Sequence, residues 1–141
     1  LSSLANYARG FHLLKRKEAE SVRDIIKRLF IKVSDSSLPI LSLSGGNQQK
    51  VVIGKGLLTA PKLLLLDEPS RGIDVGAKAD VFAIINRLAE EGLGILVVAS
   101  ELKEIIAISD RVIVLANGRL TGEFSGEDIT EQNLVAASAP R

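Results

Sequence analysis

Two clusters in this 141-residue chain have residue types and spacings that could do chemistry. The first is Asp67-Glu68, which follows the four consecutive leucines Leu63 to Leu66. A short apolar strand ending there would deliver two carboxylates to the carboxyl edge of a sheet, where ligands bind in open α/β folds. Burial of each leucine, worth about 1.5–3 kcal/mol, would anchor that strand deep in the core. Asp67 can hold a hydrated magnesium ion, and Glu68 can orient or deprotonate an attacking water. The same residues also suit a plain Asp-Glu-Pro turn with both carboxylates in solvent. The second cluster is Leu43-Ser44-Gly45-Gly46-Asn47-Gln48-Gln49-Lys50. Its two glycines free the backbone to aim successive N–H groups at one point, and a helix starting there adds the positive end of its dipole. Ser44 adds a hydroxyl and Lys50 an ammonium about a turn further on, which suits an anion, above all a phosphate. A plain Ser-Gly helix cap is the simpler alternative.

The elements that must hold these clusters can be read from periodicity. Val22, Ile25, Ile26, Leu29 and Phe30 fall on one helical stripe and predict a helix over 18–30, with Arg23, Lys27 and Arg28 on its other faces. Ser34-Asp35-Ser36-Ser37 and Pro39 break the pattern and mark a loop over 33–42. A strand over 62–66 follows. Asp74 then caps a helix over 75–91 whose buried stripe is Val81, Ile84, Ile85 and Leu88, and Gly92 ends it. Strands are expected at 95–99, 111–116 and 120–124, with Asn117-Gly118 as a hairpin turn. A short helix over 101–108 is capped by Ser100, and Thr130 caps a last helix to about Ala137. Apolar strands alternating with helices predict an α/β fold with a parallel sheet covered on both faces. The break near 38–42 divides a helical subdomain, 1–60, from a sheet-bearing part, 61–141.

Composition bounds the classes. Apolar residues make up 46% and charged residues 25%, which excludes a wholly disordered chain. At this length a fold buries roughly 68% of the surface that the unfolded chain exposes. The longest apolar run falls far short of the ~20 residues that span a bilayer, and the first residues do not form a signal peptide. The chain has no cysteine, hence no disulfide and no thiolate metal site, and its single histidine, His12, makes a protein-built zinc site a poor expectation. It also has no methionine, so it reads as a fragment of a longer protein. Residues 1–33 carry eight Lys/Arg and three Asp/Glu, a net of +5, but only Tyr7, Phe11 and Phe30 are aromatic there. That is a thin stacking platform for single strands, so the basic segment reads as a solvated helix face and no nucleic-acid partner is expected.

Taken in order, Ser-Gly-Gly-x-Gln-Gln, a mostly apolar strand, and Asp-Glu-Pro-Ser-Arg-Gly-Ile-Asp resemble the ATP-binding cassette (ABC) ATPase family. Leu43 to Lys50 resembles its signature motif, Leu63 to Glu68 its Walker B strand and catalytic glutamate, and Arg71 to Asp74 its D-loop. Asp110 to Leu115 and Asn117-Gly118-Arg119 are similar to the strand and hairpin beyond its switch position. Asn47, together with Ser70 to Lys78, further resembles the second cassette of bacterial sugar importers, in which two cassettes are fused in one polypeptide. The ribose, galactose and xylose systems are of this type.

The resemblance implies a partial P-loop NTPase fold, with ATP and magnesium as cofactors. It implies catalytic roles for Glu68 and Ser100, nucleotide contacts from Ser44, Gly45, Gly46, Asn47, Gln48 and Asp74, and a metal-ligand role for Asp67. Implied partners are a second ATPase cassette, transmembrane permease subunits and, indirectly, a periplasmic sugar-binding protein, with the protein peripheral on the cytoplasmic side of the bacterial inner membrane. Two departures stand out. Ser100 occupies the family's switch-histidine position and cannot serve as an imidazole donor. Nowhere does Gly-x-x-x-x-Gly-Lys-[Ser/Thr] occur; Gly54-Lys55-Gly56 lacks its spacing and hydroxyl. The chain is therefore expected to be the distal half of one cassette and inactive as an ATPase by itself. Competing expectations are half of an ABC-type ATPase serving chromosomes, repair or translation, and a non-catalytic docking or regulatory module.

Overall fold

A computed structural model describes Lys15 to Ala139, together with the backbone of two short strands, β1 (Ala8–Arg9) and β2 (His12–Leu13). These two pair antiparallel, Ala8 with Leu13 and Arg9 with His12, a pairing that no periodicity predicts. Tyr7, Phe11 and the side chain of His12 lie outside the described residues. The chain divides into two compact units, Leu1–Leu96 and Val97–Arg141.

In the first unit, α1 (Lys15–Arg28) forms where the apolar stripe predicts a helix. It half-buries Val22, Ile25 and Ile26, and Leu29, just beyond its end, is fully buried. Phe30 departs from the expected stripe. It takes φ +50, in the left-handed region, so the chain reverses as Ile31 N–H donates to Ile26 O at 3.0 Å. Its ring is left 66% exposed, under the Arg87 guanidinium at 5.2 Å from the ring centroid. After a 3-10 turn at Ile40–Ser42, α2 (Gly45–Leu57) buries Gly46, Lys50, Ile53 and Gly54 along one side. Gly54 lets α1 and α2 approach closely: a Cβ there would lie 2.5 Å from Ile25 Cγ2.

Strand β3 (Leu63–Asp67) and strand β4 (Gly94–Val98) pair in one sheet and are joined by α3 (Val75–Glu90). As expected, the Asp74 carboxylate caps α3, accepting from Ala77 N–H at 3.0 Å, and Val81, Ile84, Ile85 and Leu88 are buried. Gly92, at φ +92, ends the excursion. The sheet corrects one expectation. Only Leu64 and Leu66 of the leucine run are buried, while Leu63 and Leu65 are 56% and 65% exposed. Strand side chains alternate between faces, and the buried side reaches α2, where a Cβ on Gly56 would lie 2.9 Å from Leu64 Cδ1. Among the described residues one face of this sheet is therefore bare, where the all-leucine run suggests cover on both.

In the second unit, α4 (Leu102–Ile108) is followed by an antiparallel hairpin of β5 (Arg111–Ala116) and β6 (Arg119–Ser125). Asn117 and Gly118 both take positive φ, +51 and +73, the geometry that a two-residue turn of this kind requires. Helix α5 (Glu131–Ser138) is capped by the Thr130 hydroxyl, which accepts from Asn133 N–H at 3.2 Å, as expected. Val112, Val114, Ile129 and Leu134 form this unit's core, flanked by Leu102, Ile105, Ile106, Phe124 and Ala137.

Candidate functional site

The Ser44–Asn47 turn opens α2, and the amides of Gly45, Gly46 and Asn47 precede the first possible intrahelical bond, which Gln48 N–H makes to Ser44 O at 2.9 Å. Ser44 holds the N-cap position, yet its side chain caps none of those amides. Its hydroxyl instead accepts from Asn47 Nδ2 at 2.9 Å, while Asn47 Oδ1 accepts from Lys32 N–H at 2.8 Å. Asn47 thus braces the turn against the segment that leaves α1. Gln48 does the same locally, its Nε2 donating to Leu43 O at 2.8 Å. The start of α2 keeps its first N–H groups and the positive end of its dipole, the requirement for receiving an anion.

Lys50 does not serve this turn. Its place in the sequence puts its ammonium with the anion cluster. In the structure its side chain is only 5% exposed and its Nζ donates to Asp80 Oδ2 of α3 at 2.7 Å. The helical period explains this, because Gly46, Lys50, Ile53 and Gly54 share the face of α2 that packs inward. The hydrogen bond and charge of Lys50 hold the Asp80 carboxyl below its ordinary range.

The turn sits on the segment resembling the D-loop. A Cβ on Gly45 would lie 3.1 Å from Ile73 Cγ2 and 3.5 Å from Gly72 O, and one on Gly46 would lie 2.5 Å from Ala77 Cβ. Only glycine at 46 allows this approach. The structure therefore brings Ser44–Asn47 together with Arg71–Asp74. Asp74 itself is spent on capping α3.

Asp67 ends β3 with its side chain exposed, and Glu68, half-buried, starts the turn that reaches Arg71, whose N–H donates to Glu68 O at 3.1 Å. Glu68 takes φ +49, a left-handed conformation that costs an ordinary L-residue about 1–2 kcal/mol. Among the described residues no group of three or more His, Asp or Glu could cage a metal. A single carboxylate at Asp67 nevertheless fits magnesium, which keeps most of its waters and takes one or two carboxylates alongside substrate phosphates. Ser100 belongs to the second unit and is exposed. The N-cap position of α4 is held by Glu101, one residue beyond the Ser100 that the sequence suggests. Asp80 escaped the sequence reading, although its partner Lys50 falls on the buried period of α2.

A helix-starting Ser-Gly-Gly turn against the loop that follows a strand-end Asp-Glu defines a class, and comparisons agree. The family model described as ABC transporter matches residues 3–71. Among solved structures, an ATP-binding cassette of an ABC transporter in its ADP conformation superposes with a TM-score of 0.74 at 28% identity, covering 86% of this chain and 49% of that one. A nucleotide-free cassette gives 0.72 at 26% identity, covering 85% and 47%. The chain belongs to the ABC transporter ATP-binding family, with the α/β P-loop NTPase fold of its cassettes. It is 49% identical over 138 residues to a xylose import ATP-binding protein of Ralstonia nicotianae, covering 98% of this chain and 27% of that protein. It is 51% identical over 119 residues to a ribose import ATP-binding protein of Caldanaerobacter subterraneus, covering 84% and 24%. The chain thus spans about a quarter of the length of the curated relatives it matches.

Proposed function

We propose that this chain is the distal half of the second ATPase cassette of a bacterial sugar importer, and that its Ser44–Asn47 turn completes a nucleotide site in the partner cassette. The observation that carries the reading is the uncapped start of α2, whose Gly45, Gly46 and Asn47 amides are aimed by a turn braced on Ile73 and Ala77. Preorganised N–H groups of this kind stabilise charge that develops on a transferring phosphoryl group. Similarity to xylose and ribose import proteins over nearly the whole chain supports the substrate class.

In this reading residues 1–60 carry the signature turn and residues 61–141 the Walker B and switch part of the core. Asp67 holds magnesium, which neutralises phosphate charge when bound. Glu68, at the left-handed turn that ends the strand, orients or deprotonates the attacking water. Gln48 stabilises the turn, and Asp74 fixes where the D-loop enters α3. Ser100 stands at the switch position without an imidazole, so this cassette's own site is the weaker of two. The protein works peripherally at the cytoplasmic face of the inner membrane, with permease subunits and a periplasmic sugar-binding protein. No helix of the described residues is long and apolar enough to cross a membrane.

The test is reconstitution of the full-length protein with its permease in proteoliposomes, followed by labelled xylose and ribose uptake. ATP-dependent uptake of at least one pentose is expected. Absence of uptake, with ATP hydrolysis stimulated by DNA or RNA and a steep salt dependence of binding, would overturn transport.

A further inference from the structure

We infer that Lys50 and Asp80 are a positioning pair that sets the register of the signature turn against the D-loop helix, so that the two reach a nucleotide as one body. The inference rests on the proposed role of the Ser44–Asn47 turn. The Lys50 ammonium is held by Asp80 rather than by the turn, so Lys50 acts through the residues that would meet phosphate.

Three contacts run in order along the seam between α2 and α3. Gly45 meets Ile73 and Gly72, Gly46 meets Ala77, and one turn further Lys50 meets Asp80. The two glycine contacts set how closely the helices approach, but apolar contacts between small residues resist sliding and rotation poorly. A charged hydrogen bond of 2.7 Å resists both, because a slip of one helical turn, about 5.4 Å, breaks it outright. Stability alone is a weak reason for this arrangement. Lys50 is buried to 5% exposure while Asp80 is 59% exposed on the rim of a cleft lined by Phe30, Ala83, Ile84 and Arg87. A buried ammonium is costly to desolvate, and an apolar side chain of similar volume often serves a packed seam as well or better. What an apolar side chain cannot supply is direction. The best-attested use of a buried polar pair is to fix register. Here the register fixed is that of the uncapped amides of α2 relative to Asp74, the residue that starts α3.

The experiment is steady-state ATP hydrolysis by the reconstituted full-length transporter carrying Lys50→Met, Asp80→Asn, both together, or Lys50→Arg, with thermal melts to establish that each is folded. If the pair sets register, kcat falls by roughly tenfold in either single variant, since sub-ångström misplacement at a reacting centre is expensive. KM for ATP stays within about twofold, because the partner cassette makes most of the phosphate contacts. The double variant is no worse than the poorer single, as members of one unit are non-additive. Lys50→Arg, which keeps the ion pair, retains most of kcat. Folded Lys50→Met and Asp80→Asn proteins with wild-type kcat, or losses that multiply in the double variant, overturn the inference. Gly45→Asp separates the two levels. If it abolishes hydrolysis while the Lys50 and Asp80 variants keep wild-type kcat, only the register proposal fails. If it leaves hydrolysis intact, the reading beneath the proposal fails too.

Discussion

At the scale of single residues, the proposed function divides the chemistry between Glu68 and Gly45. Glu68 takes a left-handed turn at the strand end beside an exposed Asp67, and the proposed function makes it the general base of a site weakened by serine at position 100. Glu68→Gln in the full-length transporter is therefore expected to lower total ATP hydrolysis by less than about tenfold, short of the 10²–10⁴ that a fully used general base supplies. Steady-state rates measure it, and a loss larger than that of Gly45→Asp would make this site the main engine. The carboxylates and the Ser-Gly-Gly turn were legible in the sequence because their residue types and local spacing carry the signal. The partner of Lys50 was not. Its neighbours in sequence suggested an anion, whereas the face of α2 on which it falls decides where it points, and that face meets α3 only in the folded chain.

At the scale of elements, local rules predict well and tertiary cover does not. The cap and stripe of α3 and the Asn117-Gly118 hairpin were readable because each depends on residues within one or two turns. The stripe puts Phe30 on the buried side because it does not reveal that the backbone turns left-handed after Arg28. The leucine run could not reveal which of its faces would be covered, since that depends on which elements pack there. Gly54 shows how tightly the packed side is specified. Its missing Cβ would meet Ile25 at 2.5 Å and Leu29 at 3.1 Å. Gly54→Val is expected to destabilise by about 1–3 kcal/mol through overpacking, more than is regained by removing a helical glycine. Thermal or urea melts check this, and a midpoint at or above the wild type would show that α1 yields freely.

At the scale of the whole chain, the bare sheet face of Leu63, Leu65 and Leu96 and, in the second unit, the exposed Ile113, Leu115 and Leu120 are apolar surface of the kind that seeks a partner. The isolated 141-residue polypeptide is expected to self-associate through such surfaces and unpaired strand edges, and Leu65→Lys to reduce the association. Sedimentation velocity reads the outcome, and a clean monomer at high concentration would contradict it. The role of the Ser44–Asn47 turn is decided by ATP hydrolysis in the full-length transporter carrying Gly45→Asp. A carboxylate where a phosphate must sit should lower the rate by roughly a hundredfold or more, the scale of losing a preorganised oxyanion donor. The melting profile should stay intact, since the added Cβ finds Ile73 at 3.1 Å, a contact that a small side-chain shift accommodates. A folded Gly45→Asp protein hydrolysing ATP at near the wild-type rate would show that the turn meets no phosphate.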